Sequence, residues 1–107
     1  MALTRDFKET ISERARQDPE FAKALLDEAM SLFLNGDPEP ARLVLRDLVN
    51  GTIGFEKLAL ETARPSKSLH RMLSAKGNPT MDNLTTILNV LRERLQVEIE
   101  VHTIPCH

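Results

Sequence analysis

With 107 residues, a net charge of −2 and 41 % apolar residues, the chain has the length and composition of one globular domain with a modest core. No apolar run approaches the roughly 18 residues of a membrane span, and the N-terminal MALTRDFKET lacks the apolar centre of a secretory signal. The single cysteine, Cys106, excludes a disulfide within the chain and fits a reducing compartment, so we expect a cytoplasmic protein.

Three helices are predicted in the first half of the chain. The first spans Thr4–Arg16, where apolar residues recur on one stripe. The second and third each begin with Asp-Pro-Glu, at residues 18–20 and 37–39, because this triplet supplies a capping Asp, a Pro for the first helical position and an acid in the first turn. Asn-Gly pairs at 35–36 and 50–51 end these helices.

Three further helices are predicted in the second half of the chain. The fourth spans about Gly54–Thr62 and the fifth about Ser66–Ala75. The turn at 63–65 separates them because Pro65 cannot continue a helix. The sixth begins after Thr80 as its N-cap and extends to Leu95. The predicted fold is therefore all-α, with five to six helices.

The residues after Leu95 change period. Val97, Ile99 and Val101 alternate with polar residues, a pattern that predicts a short C-terminal β-strand. A strand without a partner in its own chain pairs with another chain. We therefore expect a homodimer in which Val97, Ile99 and Val101 meet the same strand of a second subunit. The alternative is a disordered tail.

Charge is distributed unevenly along the chain. Residues 1–49 hold seven basic and ten acidic residues, whereas residues 50–94 hold seven basic and four acidic ones. The twenty residues between Glu61 and Asp82, which we call the basic segment (62–81), include four basic residues and no acid. This pattern indicates a face that meets an anion, nucleic acid above all. The alternative is a solvated helix face whose acids lie elsewhere.

Two short helices joined by a tight turn, the second of them basic, have the spacing of a helix-turn-helix, whose second helix enters the DNA major groove. If Leu69, Met72 and Leu73 point inward, the polar residues of the same helix point outward. Lys and Arg can donate to guanine, His and Ser can contact base or backbone, and residues just beyond the helix suit phosphates. The predicted DNA-binding residues are Lys67, Ser68, His70, Arg71, Lys76, Asn78 and Thr80.

The stretch SLHRMLSAKGNPT (68–80), followed by NLTTILNVL, resembles the HigA-like addiction-module antidote proteins of the Xre/Cro superfamily, with their core S-L-x-[KR]-x-L-x-x-x-G-N-P-x. The matching positions are Ser68, Leu69, Arg71, Leu73, Gly77, Asn78 and Pro79. The resemblance implies a lambda-repressor-like helix-turn-helix in a homodimer that represses its own operon and neutralises a RelE- or HigB-like mRNA-cleaving toxin. The chain departs from the family in two places: Phe55 stands where family members often have Gln, and Ala63-Arg64 stands in the turn that often has Gly.

No enzyme is predicted, because the sequence contains neither a glycine-rich phosphate loop nor an arguable catalytic set. His102, Cys106 and His107 lie close together but match no zinc spacing with a fourth ligand. We therefore expect neither a metal nor a cofactor.

The predicted layout is an N-terminal helical subdomain (1–50), a helix-turn-helix region (51–95) and a C-terminal strand and tail (96–107). The expected partners are double-stranded operator DNA, a second copy of the chain and a toxin. The N-terminal helices have no recognisable chemistry and either enlarge the core or bind a protein. The competing interpretation is a protein-interaction module without DNA affinity, and the steep salt dependence of DNA binding distinguishes the two.

Overall fold

Helices form all of the regular secondary structure in residues 11–106, the part of the chain that the computed structural model describes. They are α1 (11–17), α2 (Pro19–Leu34), α3 (Pro38–Gly51), α4 (Phe55–Thr62), α5 (Ser66–Met72) and α6 (Met81–Leu95). The predicted all-α class with five to six helices is thereby confirmed for these residues. The predicted beginning of the first helix at Thr4 lies outside them. Helix α5 ends at Met72, three residues before the predicted Ala75.

The two Asp-Pro-Glu triplets begin helices as predicted, but only one of the two Asp side chains caps its helix. An Asp18 carboxylate oxygen accepts hydrogen bonds from the backbone N–H groups of Glu20 and Phe21, at 3.0 and 3.3 Å. This satisfies two donors that have no partner inside α2. Asp37 precedes α3 without a capping hydrogen bond from its side chain. The start of α3 therefore rests on the proline that follows Asp37 and on packing.

One hydrophobic core joins the helices of both halves of the chain. Helix α2 packs along α3, and these two helices also contact α6 and α4, respectively. The largest fully buried side chains of this core are Leu26, Leu45, Leu48, Val49, Leu58, Leu69, Leu73, Ile87 and Leu91. The core therefore crosses the predicted boundary at residue 50. The N-terminal helices therefore enlarge the core, which is one of the two roles expected for them.

Helix α3 ends where α1 passes close to its backbone. Gly51 is the last residue of α3, and a Cβ atom there would lie 2.6 Å from the Ser12 carbonyl oxygen and 2.7 Å from the Ala15 Cβ. Real side chains do not tolerate such distances, so this crossing requires glycine. The Arg16 guanidinium adds a hydrogen bond of 3.1 Å to the Asn50 carbonyl. The residue predicted only to end α3 thus also allows α1 to approach.

The predicted C-terminal strand is not found in the described residues. Gln96 takes a left-handed conformation, with φ 56° and ψ 51°, and ends α6. The tail (residues 96–106) then continues without helix or strand. A strand requires a neighbouring strand for its backbone hydrogen bonds, and no other strand exists among the described residues to supply them.

The alternation that predicted the strand corresponds instead to alternating burial along the tail. Val97 and Ile99 are half-buried against the core, while Glu98 and Glu100 are exposed. Val101, further along, is 60 % exposed. Two of the three residues predicted to contact a second subunit therefore pack on their own chain.

Candidate nucleic-acid interface

A three-residue turn joins α4 to α5. Ala63 ends α4 in the left-handed conformation, with φ 55° and ψ 39°, and its N–H bonds back to the Ala59 carbonyl. Pro65 then adopts φ −62° and ψ 137°, an extended conformation that proline takes without strain. The turn brings α5 into contact with α4. Ala63 thus occupies a left-handed position, at some energetic cost.

Helix α5 has one buried face and one exposed face, as predicted. Leu69 and Leu73, at the end of the helix, are fully buried in the core. The residues of the opposite face are separated by three and four positions, so their side chains lie side by side. The exposed side chains are Lys67, His70 and Arg71, and Ser68 is half-buried. Three of the predicted DNA-binding residues therefore form one row on the surface.

His70 is held against α4 by an aromatic stack that the sequence did not reveal. Its imidazole lies over the ring of Phe55 with ring centroids 3.9 Å apart and an angle of 19° between the planes. Phe55 is itself only 6 % exposed. The stack fixes the histidine ring on the surface next to Arg71. The aromatic side chain of Phe55 therefore supports a neighbour in the candidate interface.

The loop after α5 turns tightly and presents two predicted residues to solvent. Lys76 and Asn78 are both exposed. Between them, a Cβ atom at Gly77 would lie 2.5 Å from the Arg71 carbonyl oxygen and would also overlap the carbonyl of Met72. Only glycine allows the loop to fold back this closely onto the end of α5.

Thr80 is committed to a structural role at the start of α6. Its hydroxyl accepts a hydrogen bond of 3.1 Å from the Asn83 N–H, which confirms it as the N-cap. Its side chain is exposed, and the contact with phosphate predicted here involves the backbone N–H groups around Gly77 and Thr80, which the hydroxyl does not supply. Thr80 thus lies at the edge of the candidate interface and orders the helix that follows.

Arg42 of α3 is the buried charged residue that sequence reasoning missed. It is 9 % exposed, and it is the one buried charged or polar side chain found between residues 11 and 106. Its Nε donates to the Ser74 carbonyl at 2.9 Å and its Nη2 to the Ala75 carbonyl at 2.6 Å. Its helical neighbours Ala41 and Leu45 are buried as well. The sequence did contain a signal for this buried charge, an arginine on the apolar stripe of α3.

The candidate interface carries uncompensated positive charge. Lys67, Arg71 and Lys76 are exposed, and no ion pair involving them is found within the described part of the chain. Arg64, the fourth basic residue of the segment, is half-buried, and its Nε has no hydrogen-bond partner among residues 11–106. The surface formed by α5 and the following loop can therefore attract an anion without first breaking an internal pair.

A second surface of different chemistry lies between α2 and the tail. A groove of about 630 Å³ runs there, and three large apolar side chains along it are exposed: Leu34 by 57 %, Val101 by 60 % and Ile104 by 82 %. Asp27 and Glu100 also line the groove. This groove combines apolar side chains with two carboxylates, one of which, Glu100, has an oxygen 3.5 Å from His102 Nε2, whereas the face of α5 is polar and basic.

Residues 11–106 contain no group of three or more histidine, cysteine or carboxylate side chains that could hold a metal ion. Cys106 is free and exposed. No helix in the described range is both long and apolar enough to traverse a lipid bilayer.

Comparison with known proteins adds no relative to this picture: no family model matches the chain, and no curated protein or solved structure is significantly similar to it. The class that the structure defines is a small all-helical domain with an exposed basic helix. The likeness to the HigA-like antidote proteins rests on the seven motif positions alone.

Proposed function

We propose that the protein is a sequence-specific, double-stranded-DNA-binding transcriptional repressor, in which α4 and α5 form a Xre-type helix-turn-helix. The observation that carries the proposal is the exposed row of Lys67, His70 and Arg71 on α5, set on the buried Leu69 and without a carboxylate partner among residues 11–106. A helix that presents such a row to the major groove can donate hydrogen bonds to guanine and to phosphates.

The exposed residues of the site have two different roles, contact with base edges and contact with phosphates. Arg71 and Lys67 are the donors for base edges, and His70 contacts base or backbone from its stack on Phe55. Lys76 and Asn78, in the loop after α5, contact the phosphate backbone. Such phosphate contacts fix the register of the protein on the duplex while base contacts select the sequence.

The repressor acts as a homodimer on a pseudo-palindromic operator. Two copies of α5 related by a two-fold axis would enter major grooves about 34 Å apart, one turn of the duplex. The exposed Val101 in the tail is available for the contact between subunits, whereas Val97 and Ile99 are partly used by their own core.

We further propose that the repressor is the antitoxin of a type II module, which represses its own operon and binds a RelE- or HigB-like toxin. The seven-position motif supports this, and so does the apolar, acidic groove between α2 and the tail. A toxin that cleaves mRNA needs a basic surface, and an acidic binding site complements it.

The test is a fluorescence-anisotropy titration of the purified protein on the DNA upstream of its own gene, at two salt concentrations, with a scrambled duplex as control. We expect preferential binding to the upstream DNA that weakens steeply as salt rises, because Lys and Arg contacts release counterions from phosphates. Sedimentation velocity on the same samples gives the oligomeric state. Equal affinity for both duplexes, or none at either salt, would contradict the repressor and favour the protein-interaction module.

A further inference from the structure

The guanidinium of Arg42 links three parts of the backbone at one point. Its Nε donates to the Ser74 carbonyl at 2.9 Å, and the same carbonyl accepts the Gly77 N–H at 3.1 Å. Its Nη2 donates to the next carbonyl, that of Ala75, at 2.6 Å. Helix α3, the end of α5 and the tight turn at Gly77 therefore meet at a single side chain.

This arrangement has a clear physical reason. Ser74 and Ala75 lie just beyond the end of α5, and carbonyl groups outside regular secondary structure need hydrogen-bond partners from elsewhere when water does not reach them. Burying a guanidinium is costly unless its donors are satisfied. Adjacent carbonyls of Ser74 and Ala75 match the fixed fork of arginine, which lysine cannot reproduce.

We propose that Arg42 is a positioning residue for DNA binding. It acts by holding the loop that carries Lys76 and Asn78 at the end of α5. The inference rests on the proposed function, because it assigns these loop residues to phosphates. Arg42 itself faces the interior and touches no DNA. Its two hydrogen bonds fix the backbone on the N-terminal side of Lys76, and so set where that ammonium group can reach.

One consequence is that the N-terminal helices belong to the DNA-binding machinery. Arg42 lies on α3, which packs along α2, and α2 borders the apolar groove through Leu34. The loop that contacts phosphate is therefore fastened to the layer that lies outside the helix-turn-helix. A helix-turn-helix region cut at residue 51 would lack this clamp.

The experiment uses the full chain and two independent measurements. Arg42→Met removes the donors and keeps an apolar side chain of similar length; Arg42→Lys keeps one donor. Arg46→Met, at a half-buried position one turn later on α3, is the matched control. Amide hydrogen exchange of Gly77 reports on the clamp without DNA, since this N–H shares the Ser74 carbonyl with Arg42.

We expect Gly77 exchange to accelerate in Arg42→Met, with a smaller change in Arg42→Lys and none in Arg46→Met. Operator affinity should fall about tenfold in Arg42→Met and the salt slope should become shallower by about one phosphate contact. In the double variant Arg42→Met/Lys76→Ala, the second substitution should change affinity by less than about twofold, because contacting residues that act as a unit are not additive.

Three results would overturn the proposal: unchanged exchange at Gly77, multiplicative effects of the Arg42 and Lys76 substitutions, or an Arg46→Met variant that behaves like Arg42→Met. If Arg42→Met does not fold, Arg42→Lys carries the same comparison with partial effects. A wild-type protein that binds no operator DNA would instead refute the repressor and the DNA role of Arg42 together, while the exchange measurement would still decide whether the clamp exists.

Discussion

Two stretches of similar length in this chain carry opposite charge. Residues 18–39 hold six carboxylates and a single basic residue, Lys23, whereas the basic segment (62–81) holds four basic residues and no carboxylate. Each stretch consists of helix and turn, and each contributes fully buried leucines to the same core, such as Leu26 and Leu69. The two regions therefore pack on the same core, while their exposed surfaces carry charge of opposite sign.

Packing in this molecule does not dictate the charge of the exposed faces. The core requires leucine at positions such as 26 and 69, but it makes no demand on the exposed Asp27 or the exposed Arg71. Exposed like charges cost little in folding and are screened by salt, so their sign is free to serve binding. A polyanion is attracted to one region and repelled by the other.

The first pair of substitutions, Arg71→Ala and Lys23→Ala, tests the difference between the basic segment and the acidic stretch. Each removes one positive charge from an exposed side chain. We expect Arg71→Ala to weaken operator binding by about 1–3 kcal/mol and to relax the choice of base that it contacts. Lys23→Ala should leave operator affinity within about twofold, because Lys23 lies in the acidic stretch outside the proposed interface. Anisotropy titrations on operator and scrambled duplexes measure both.

The same pair provides its own control for folding. Neither side chain is buried. The free energy of unfolding, measured by urea denaturation, should therefore stay within about 0.5 kcal/mol of wild type in both variants. Loss of the fold in Arg71→Ala would mean that the inward and outward faces of α5 are wrongly assigned. Equal losses of affinity in the two variants would mean that net charge, and not the row on α5, governs binding.

Asp18→Ala and Thr80→Ala compare the two regions at their helix caps. Each side-chain oxygen accepts backbone N–H groups at the start of a long helix, α2 or α6, and losing a cap of this kind costs about 1 kcal/mol of unfolding free energy. Urea denaturation should show similar losses. Only Thr80→Ala should also weaken operator binding, because the loop carrying Lys76 and Asn78 leads directly into α6.

The opposite pattern would change the interpretation of the interface. If Asp18→Ala weakened DNA binding as much as Thr80→Ala at equal stability, the acidic stretch would take part in the DNA contact. A conservative Thr80→Ser variant, which keeps the hydroxyl, should restore both stability and affinity and so separates the cap from the methyl group.

Local signals predicted most of the fold. The helix starts at Asp18 and Thr80, the buried face of α5 and the turn before Pro65 all follow from interactions within a few residues. Capping, helical periodicity and the fixed φ of proline act at that range, so one sequence contains what is needed to place them.

The features that escaped prediction depend on contacts between residues far apart in the chain. Arg42 reaches the carbonyls of Ser74 and Ala75 across more than thirty positions, and His70 finds Phe55 only once α4 and α5 pack. Gly51 looked like a helix terminator because nothing local shows that α1 crosses there. The prediction of a strand in the tail was wrong for the same reason, since a period of two reflects alternate burial whether or not a neighbouring strand exists.

Ala24→Gly and Ala63→Gly form the last pair, with the smallest expected effects and opposite signs. Ala24 is exposed in the middle of α2, where glycine costs about 1 kcal/mol because it loses more backbone freedom on folding. Ala63 has φ 55°, where a Cβ atom is unfavourable and glycine is not. Relief of that strain outweighs the entropy term, so Ala63→Gly should raise stability by up to about 1 kcal/mol.

Urea denaturation of the two variants beside wild type measures this difference in sign. Operator affinity should be unchanged in both, because neither substitution moves α5 or its exposed row. A destabilised Ala63→Gly variant would show that Ala63 does not hold the left-handed conformation in solution. A stabilised variant that binds DNA more weakly would show that the stiffness of this turn, and not only its shape, helps α5 to enter the groove.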